Sequence, residues 1–409
     1  MPVRSSVPET SALTPQQEIS RIAELRAVHQ AFRYLHLQEM EFRRWQMELA
    51  QIPAPPFGEA ARTEWLRQRF IDLGLNEVQV DGLGNVFGLF WHDEPGPLLG
   101  MSAHLDTVFP PGTPVAAHEE GSKLFGPGIS DNAAGVVAML AVASALKQSA
   151  IRPSGNIVFI GNVGEEGEGN LRGMRHIFAD PHWGNVIRSM LVVDGAGADT
   201  YVTQALGSKR FEVTFRGPGG HSWSDFGIPN PIVLLSRALS HFSQSEVPDS
   251  PRTTFNIGVI QGGTSVNSIP ESASARVDLR SASSHELQKL EVRLYESVRS
   301  AAPSNSLEQK ISFEISSIGD RPAASLASDA RILQVIRAVD AHLGIKSIPR
   351  LASTDANIPL SLGKEAITIG SGGDGGGAHT LREWFDCAHR DLGLKRILLA
   401  ALALTGVSE

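Results

Sequence analysis

What most restricts the fold of this chain is a set of short, predominantly apolar runs, at residues 78–80, 86–91, 98–103, 156–161, 190–193 and 366–369. Between and after them lie stretches with helical patterning, at about 132–148, 171–178, 328–343 and 390–404. A strand that is apolar at nearly every position, rather than every second one, must be covered on both faces. Such strands alternating with helices predict a mostly parallel, doubly covered α/β sheet. Ligands of these sheets collect outside the carboxyl ends of the strands, so the residues that close each run are the place to look for chemistry.

The middle of the chain has a different texture. Strand candidates at 211–215, 253–261, 273–280 and 311–316 are interleaved with helical stretches at 231–243 and 284–301. The order strand, helix, strand, strand, helix, strand is that of the ferredoxin-like split βαβ unit, an α+β arrangement. We therefore expect an inserted domain at 208–319 within a discontinuous catalytic domain formed by 1–207 and 320–409. The segment from Thr14 to Gln51 is rich in Glu, Arg, Leu, Ala and Gln and, beyond Pro15, free of glycine and proline. It reads as one long helix or two, so that residues 1–51 form a helical N-terminal extension.

Composition removes whole classes of function. A net charge of −8 offers no basic field for a phosphate backbone, which argues against a nucleic-acid partner. The single cysteine, Cys387, permits neither an intrachain disulfide nor a thiolate metal cluster, so any metal must be held by histidine and carboxylate. Apolar runs at 136–146 and 397–404 are too short to span a bilayer, and no basic-then-apolar leader opens the sequence. The expected setting is cytoplasmic, with no membrane partner.

Five places near strand ends carry metal-binding residue types. The run at 98–103 delivers His104 and then Asp106, which could accept the second ring N–H of a ligating histidine; a solvated strand end is the plain alternative. Gly126-Pro127-Gly128-Ile129-Ser130-Asp131 leads into an Ala/Val/Leu helix, where Asp131 or Ser130 would equally serve as an N-cap. The run at 156–161 leads into Glu165, Glu166 and Glu168 separated by glycines. Adjacent glutamates can divide the work of ligating metal and taking a proton from water, or simply form a solvated acidic loop. Asp194 follows 190–193, where a turn-forming Asp-Gly is the alternative. His379 follows a glycine-rich loop at 372–377, a loop that could also cradle phosphate although it lacks the P-loop Lys-Ser/Thr pattern. Two histidines and three carboxylates make an oxygen and nitrogen set suited to two zinc ions, with cobalt or manganese as substitutes, if one carboxylate bridges.

In order along the chain, HLDTVFP, GPGISDNAAGVVAML, GNVGEEGEGNLRG, RGPGGHSWSDFG, GGTSVNSIPESASARVDLRS, STDANIPLSLG and GGGAHTLREW resemble the motifs of metallopeptidase family 20 of clan MH. That group holds di- and tripeptidases, glutamate carboxypeptidases, aminoacylases and deacylases, and the likeness runs from Ile52 onward. The resemblance implies one zinc on His104, Asp131 and Asp194 and another on Asp131, Glu166 and His379, with Asp131 bridging. It implies Glu165 as general base and then acid, Asp106 orienting His104, and a cis peptide after Asp131. It further implies a lid domain that forms a homodimer and lends His221 to the partner's oxyanion, with Asn267 and Arg280 binding substrate. Asp194 stands where many deacylases and carboxypeptidases of the family carry Glu, which favours the peptidase-like branch. The expected activity is hydrolysis of an amide bond in a small peptide. N-acyl amino acid deacylation at the same metal site is the alternative, and a non-catalytic scaffold the more distant one.

Overall fold

From Pro15 to Ala50 the chain forms three helices rather than one or two: Pro15–Glu24, Arg26–Leu37 and Glu39–Ala50. The first starts at a capping box in which Thr14 and Gln17 satisfy each other's backbone N–H groups. It ends at Leu25, whose extended backbone (φ −63°, ψ 133°) redirects the chain. Each helix can then turn its apolar stripe inward, burying Ile19 and Ile22, then Val28, Ala31 and Leu35, then Phe42, Trp45 and Leu49. These side chains belong to the same core as the helices Ala133–Gln148, Arg331–Leu343 and Arg390–Thr405, so the three helices of residues 15–50 are an integral layer of the main body.

The computed structural model describes residues 13–90, 98–303 and 310–407. At its centre four parallel strands lie side by side, in the order Asn156–Asn162, Leu98–His104, Ile187–Val193 and Glu365–Ile369. Successive residues face opposite layers. Ile157 and Phe159 pack with the helix Ala133–Gln148, while Val158 and Ile160 pack with Met174, Ile177 and Trp183 on the other side. The unbroken apolar run is the sequence image of that double cover. The helix Ala133–Gln148, buried at every position from Ala133 to Leu146, is apolar all round for the same reason. Antiparallel strands extend the sheet at both sides. Val86–Phe90 is the described part of the strand expected at 86–91, and Trp91 lies outside the described residues.

Residues 207–321 build a separate four-stranded antiparallel sheet in the order Thr253–Gly262, Ser272–Ser281, Gly207–Arg216, Ser312–Arg321. The helices Pro231–Ser243 and Ser284–Ala301 cover one face and close their own apolar core around Phe211, Val213, Phe215, Leu235, Phe242 and Leu294. This is the split βαβ order expected from the sequence. Short strands went unforeseen: the ribbon Gly220–His221 with Ser268–Ile269, and a small sheet of Asp374–Gly376, Trp384–Asp386, Lys123–Phe125 and His118–Glu120. Two or three residues give no periodicity to read. Among the described residues, no helix is long and apolar enough to cross a membrane.

One buried ion pair ties the outer helices to the sheet. Arg396 donates to both oxygens of Asp340, at 2.6 and 2.8 Å, and to the Thr200 carbonyl at 3.0 Å, with neither side chain more than 5% exposed. Asp340→Ala would leave a guanidinium buried without its counter-charge, at an expected cost of about 3–5 kcal/mol in urea unfolding. A loss under about 1 kcal/mol would mean that water reaches the pair.

Candidate metal centre

Because the four central strands are parallel, their carboxyl ends meet at one edge of the sheet, and the metal-binding residue types follow them there. His104 is the last residue of its strand and 1% exposed. Glu165 and Glu166 lie three and four residues past Asn162, between Gly164 and Gly167, both of positive φ. Asp194 directly follows Val193, and its N–H donates to the Ile369 carbonyl at 3.0 Å. The glycine loop after Ile369 is spent on protein backbone, not on a phosphate cradle. Gly372 exchanges two 3.0 Å hydrogen bonds with Gly197, and a Cβ on Gly372 would lie 2.5 Å from the Arg390 carbonyl. That close packing turns the chain so that His379 reaches back over the strand ends.

Asp131 is not the helix cap. Asn132 takes that place, accepting the N–H of Gly135 at 3.0 Å, which releases the Asp131 carboxylate. Its Oδ1 lies 3.1 Å from His104 Nε2 and its Oδ2 3.1 Å from His379 Nε2. Asp194 Oδ1 is 3.4 Å from His104 Nε2, and Glu166 Oε1 is 3.0 Å from His379 Nε2. Among the described residues donor atoms fall into three groups, His104/Asp131/Asp194, Asp131/Glu166/His379 and His104/Glu165/Glu166, each with its atoms within 4.8 Å of one another, and Asp131 joins the first two. The Asp131–Asn132 peptide is cis.

The electrostatics agree with that grouping. Burial alone would lower the pKa of His104, yet hydrogen bonds to Asp131 and Asp194 raise it well above the ordinary histidine value. Asp131 and Glu166 push His379 up to about 10. Burial disfavours the charge on Asp131, but His104 and His379 hold its carboxyl well below the usual carboxylate range. So much negative charge draws positive charge onto both imidazoles, and the same field favours a divalent cation. Two imidazoles and three carboxylates, with no sulfur ligand, fit zinc or a similar borderline ion.

Asp106 departs from expectation. Its carboxylate stands 3.8 Å from His104 Nδ1, and it is the Asp106 carbonyl that lies within hydrogen-bonding reach of that nitrogen, at 3.1 Å. The strand ends at His104, so the period-two argument fails one step later. The carboxylate instead accepts the backbone N–H groups of Glu165 and Glu166, at 2.9 and 2.7 Å, and so shapes the acidic loop.

Several groups that hold the centre are not singled out by the sequence reading, although Glu383 and Asp355 lie within its motifs. Glu383 accepts the N–H groups of Gly128, Ser130 and Asp131 at 2.7–2.8 Å, and burial pushes its carboxyl up to about 7. Arg62 is fully buried, donates to the carbonyls of Ile52 and Leu105, and faces the charges of Asp106 and Glu383; burial pulls its pKa down to about 10. Gln46, on the third N-terminal helix, donates to the Ile129 carbonyl at 2.6 Å and accepts from Arg390, which gives the extension a hold on the Asp131 loop. Asp355, pushed up to about 7 by burial, accepts from Asn162 at 2.6 Å. Glu165 is pushed well above the ordinary carboxyl range by burial, against the opposing pull of Arg321, whose Nη1 donates to its Oε1 at 3.0 Å.

Three expected substrate-side residues stand apart from the metal donors. His221 is exposed, and its ring Nδ1 accepts the N–H groups of Trp223 and Ser224 within its own turn. Asn267 is beside it, because the His221 strand pairs with Ser268 and the Asn267 carbonyl accepts the N–H of Ser222 at 3.0 Å. Arg280 donates to Asp278 at 2.7 Å on the antiparallel sheet.

Comparison with known proteins gives four further findings. A sequence model described as peptidase family M20/M25/M40 matches residues 100–403. A probable succinyl-diaminopimelate desuccinylase of Staphylococcus aureus is 24% identical over 345 residues, covering 74% of this chain and 81% of that protein. Among solved structures, a tripeptidase from Staphylococcus aureus superposes with a TM-score of 0.73 at 21% identity, covering 90% of this chain and 99% of the other. A Bacillus subtilis dinuclear metal binding peptidase of the M20 family superposes with a TM-score of 0.66 at 15% identity, covering 91% and 100%.

Proposed function

The chain belongs to peptidase family M20/M25/M40 and is a hydrolytic enzyme, and from that premise we propose that it cleaves the amide bond of a small peptide at a dinuclear zinc centre. The observation that carries this reading is Asp131, whose two carboxylate oxygens each face a different histidine. His104, Asp131 and Asp194 would hold one zinc, and Asp131, Glu166 and His379 the other, with cobalt or manganese as substitutes. Bound there, the metals would polarise the scissile carbonyl and acidify a water.

The chain's own groups supply the rest. Glu165 Oε1 is engaged by Arg321, which leaves Oε2 to take the proton of the attacking water and hand it to the departing amine. Asp106 fixes the backbone on which Glu165 and Glu166 sit. His221, exposed and bonded only within its own turn among the contacts described, is suited to reach a second copy's site and donate to its developing oxyanion. Association of two copies through residues 208–319 would bring it there. Asn267 and Arg280 would hold the substrate, Arg280 through a terminal carboxylate. With one cysteine, buried, the chain has nothing for an oxidising compartment to bridge within itself, and we place it in the cytoplasm.

The test is a substrate panel of dialanine, trialanine, N-acetylalanine and N-succinylalanine, assayed with zinc present. Free-amine peptides are expected to give the higher kcat/KM. The desuccinylase name of the curated relative favours a second reading, N-acyl amino acid deacylation at the same centre. Faster cleavage of the two acylated amino acids would establish that reading in place of the first.

A further inference from the structure

Arg321 is the last residue of the strand Ser312–Arg321, where the antiparallel sheet returns to the main body. Its side chain leaves that sheet and enters the acidic loop. Nη1 donates to Glu165 Oε1 at 3.0 Å and to Ser353 Oγ at 3.2 Å, and Nη2 donates to the Glu165 carbonyl. The Arg321 and Glu165 side chains are 8% and 6% exposed. One planar fork thus holds both the backbone and the carboxylate of a single residue, which sets the direction of the side chain between them. The loop has little stiffness of its own here, since Gly164 and Gly167 flank the glutamate pair.

The neighbouring contacts run the same way. Asp320 N–H donates to Asn170 Oδ1 at 3.0 Å, Arg175 donates to the Asp320 carbonyl, and Arg210 Nη1 donates to the Gly167 carbonyl at 3.2 Å. Arg210 lies on Gly207–Arg216, opposite Gly319 in register. Both strands that join the antiparallel sheet to the main body therefore grip residues 165–170.

We infer that Arg321 is a positioning residue for hydrolysis, aiming the Glu165 carboxylate from the root of the antiparallel sheet so that a shift of that sheet re-aims the carboxylate. The inference rests on Glu165 being the proton carrier. Misalignment of a reacting group by about 1 Å can cost roughly 10²-fold in rate. With whichever amide of the panel is turned over fastest, Arg321→Met is expected to lower kcat by about 10²-fold. KM should stay within about twofold and metal content unchanged. Arg321→Lys, which keeps the charge but not the fork, should recover part of the loss.

A raised KM with normal kcat would overturn the inference by making Arg321 a substrate grip, as would a fall in kcat matched by loss of metal. If Arg321→Met does not fold, Arg321→Lys decides alone: wild-type kcat refutes positioning, and reduced kcat at unchanged KM and metal content supports it. Glu165→Gln separates the two layers. Retained turnover there removes the proton-carrier reading itself, whereas a dead Glu165→Gln beside fully active Arg321 variants removes only the positioning role.

Discussion

Glu165→Gln is expected to lower kcat by roughly 10²–10⁴-fold, the range of a lost general base, while the metal content of the protein stays as in the wild type. The two parts of that expectation come from different atoms. Glu165 is absent from the two donor groups that share Asp131; it groups only with His104 and Glu166, and the substitution leaves both of those ligands in place. The amide keeps an oxygen for Arg321 Nη1 and the backbone bond to Arg321 is untouched, so the loop retains its shape. What the amide lacks is the capacity to take a proton. Metal content is read by elemental analysis and turnover with the fastest amide of the panel; turnover within about tenfold of wild type would move the proton transfer to another group.

Asp131→Ala should have the opposite profile, with activity lost because the metals are lost. Both histidines face this one carboxylate, at 3.1 Å each, so its removal opens both donor groups at once. Asp194→Ala, by contrast, removes a ligand from one group only. Loss of an outer partner typically weakens metal binding by about 10–100-fold, and loss of a shared ligand should exceed that. Titration with zinc and a competing chelator would show both affinities reduced in Asp131→Ala and one in Asp194→Ala. Reduction of a single affinity in Asp131→Ala would mean that the carboxylate does not bridge.

How much of this was legible in the sequence depends on the kind of residue. The central strands were readable because both faces are buried and almost every position is apolar, and the strand ends then pointed to His104, Asp131, Glu165, Glu166, Asp194 and His379. The break at Leu25 was not readable, because leucine is no helix breaker and the helices on either side pack against elements distant in sequence. Asp106 lies beside His104 as its spacing suggests, but its shorter bonds go to the acidic loop, since strand periodicity no longer applies past His104. Glu383 sits inside a recognisable motif, yet its role is to collect N–H groups from residues more than 250 positions earlier. Arg321 lies just past the expected end of the inserted domain at 319, and only the packed structure brings it to Glu165. Groups that hold a site from a distance in sequence lack the local periodicity on which such reading depends.

The central claim, a dinuclear metal hydrolase, is tested most directly by one measurement: metal content and amide hydrolysis on the same purified sample, before chelation, after chelation and after zinc is restored. Two metal ions per chain, hydrolysis that disappears on chelation, and recovery with zinc are expected; hydrolysis that persists in the metal-free protein, or no metal bound at micromolar zinc, would contradict a dinuclear metal hydrolase.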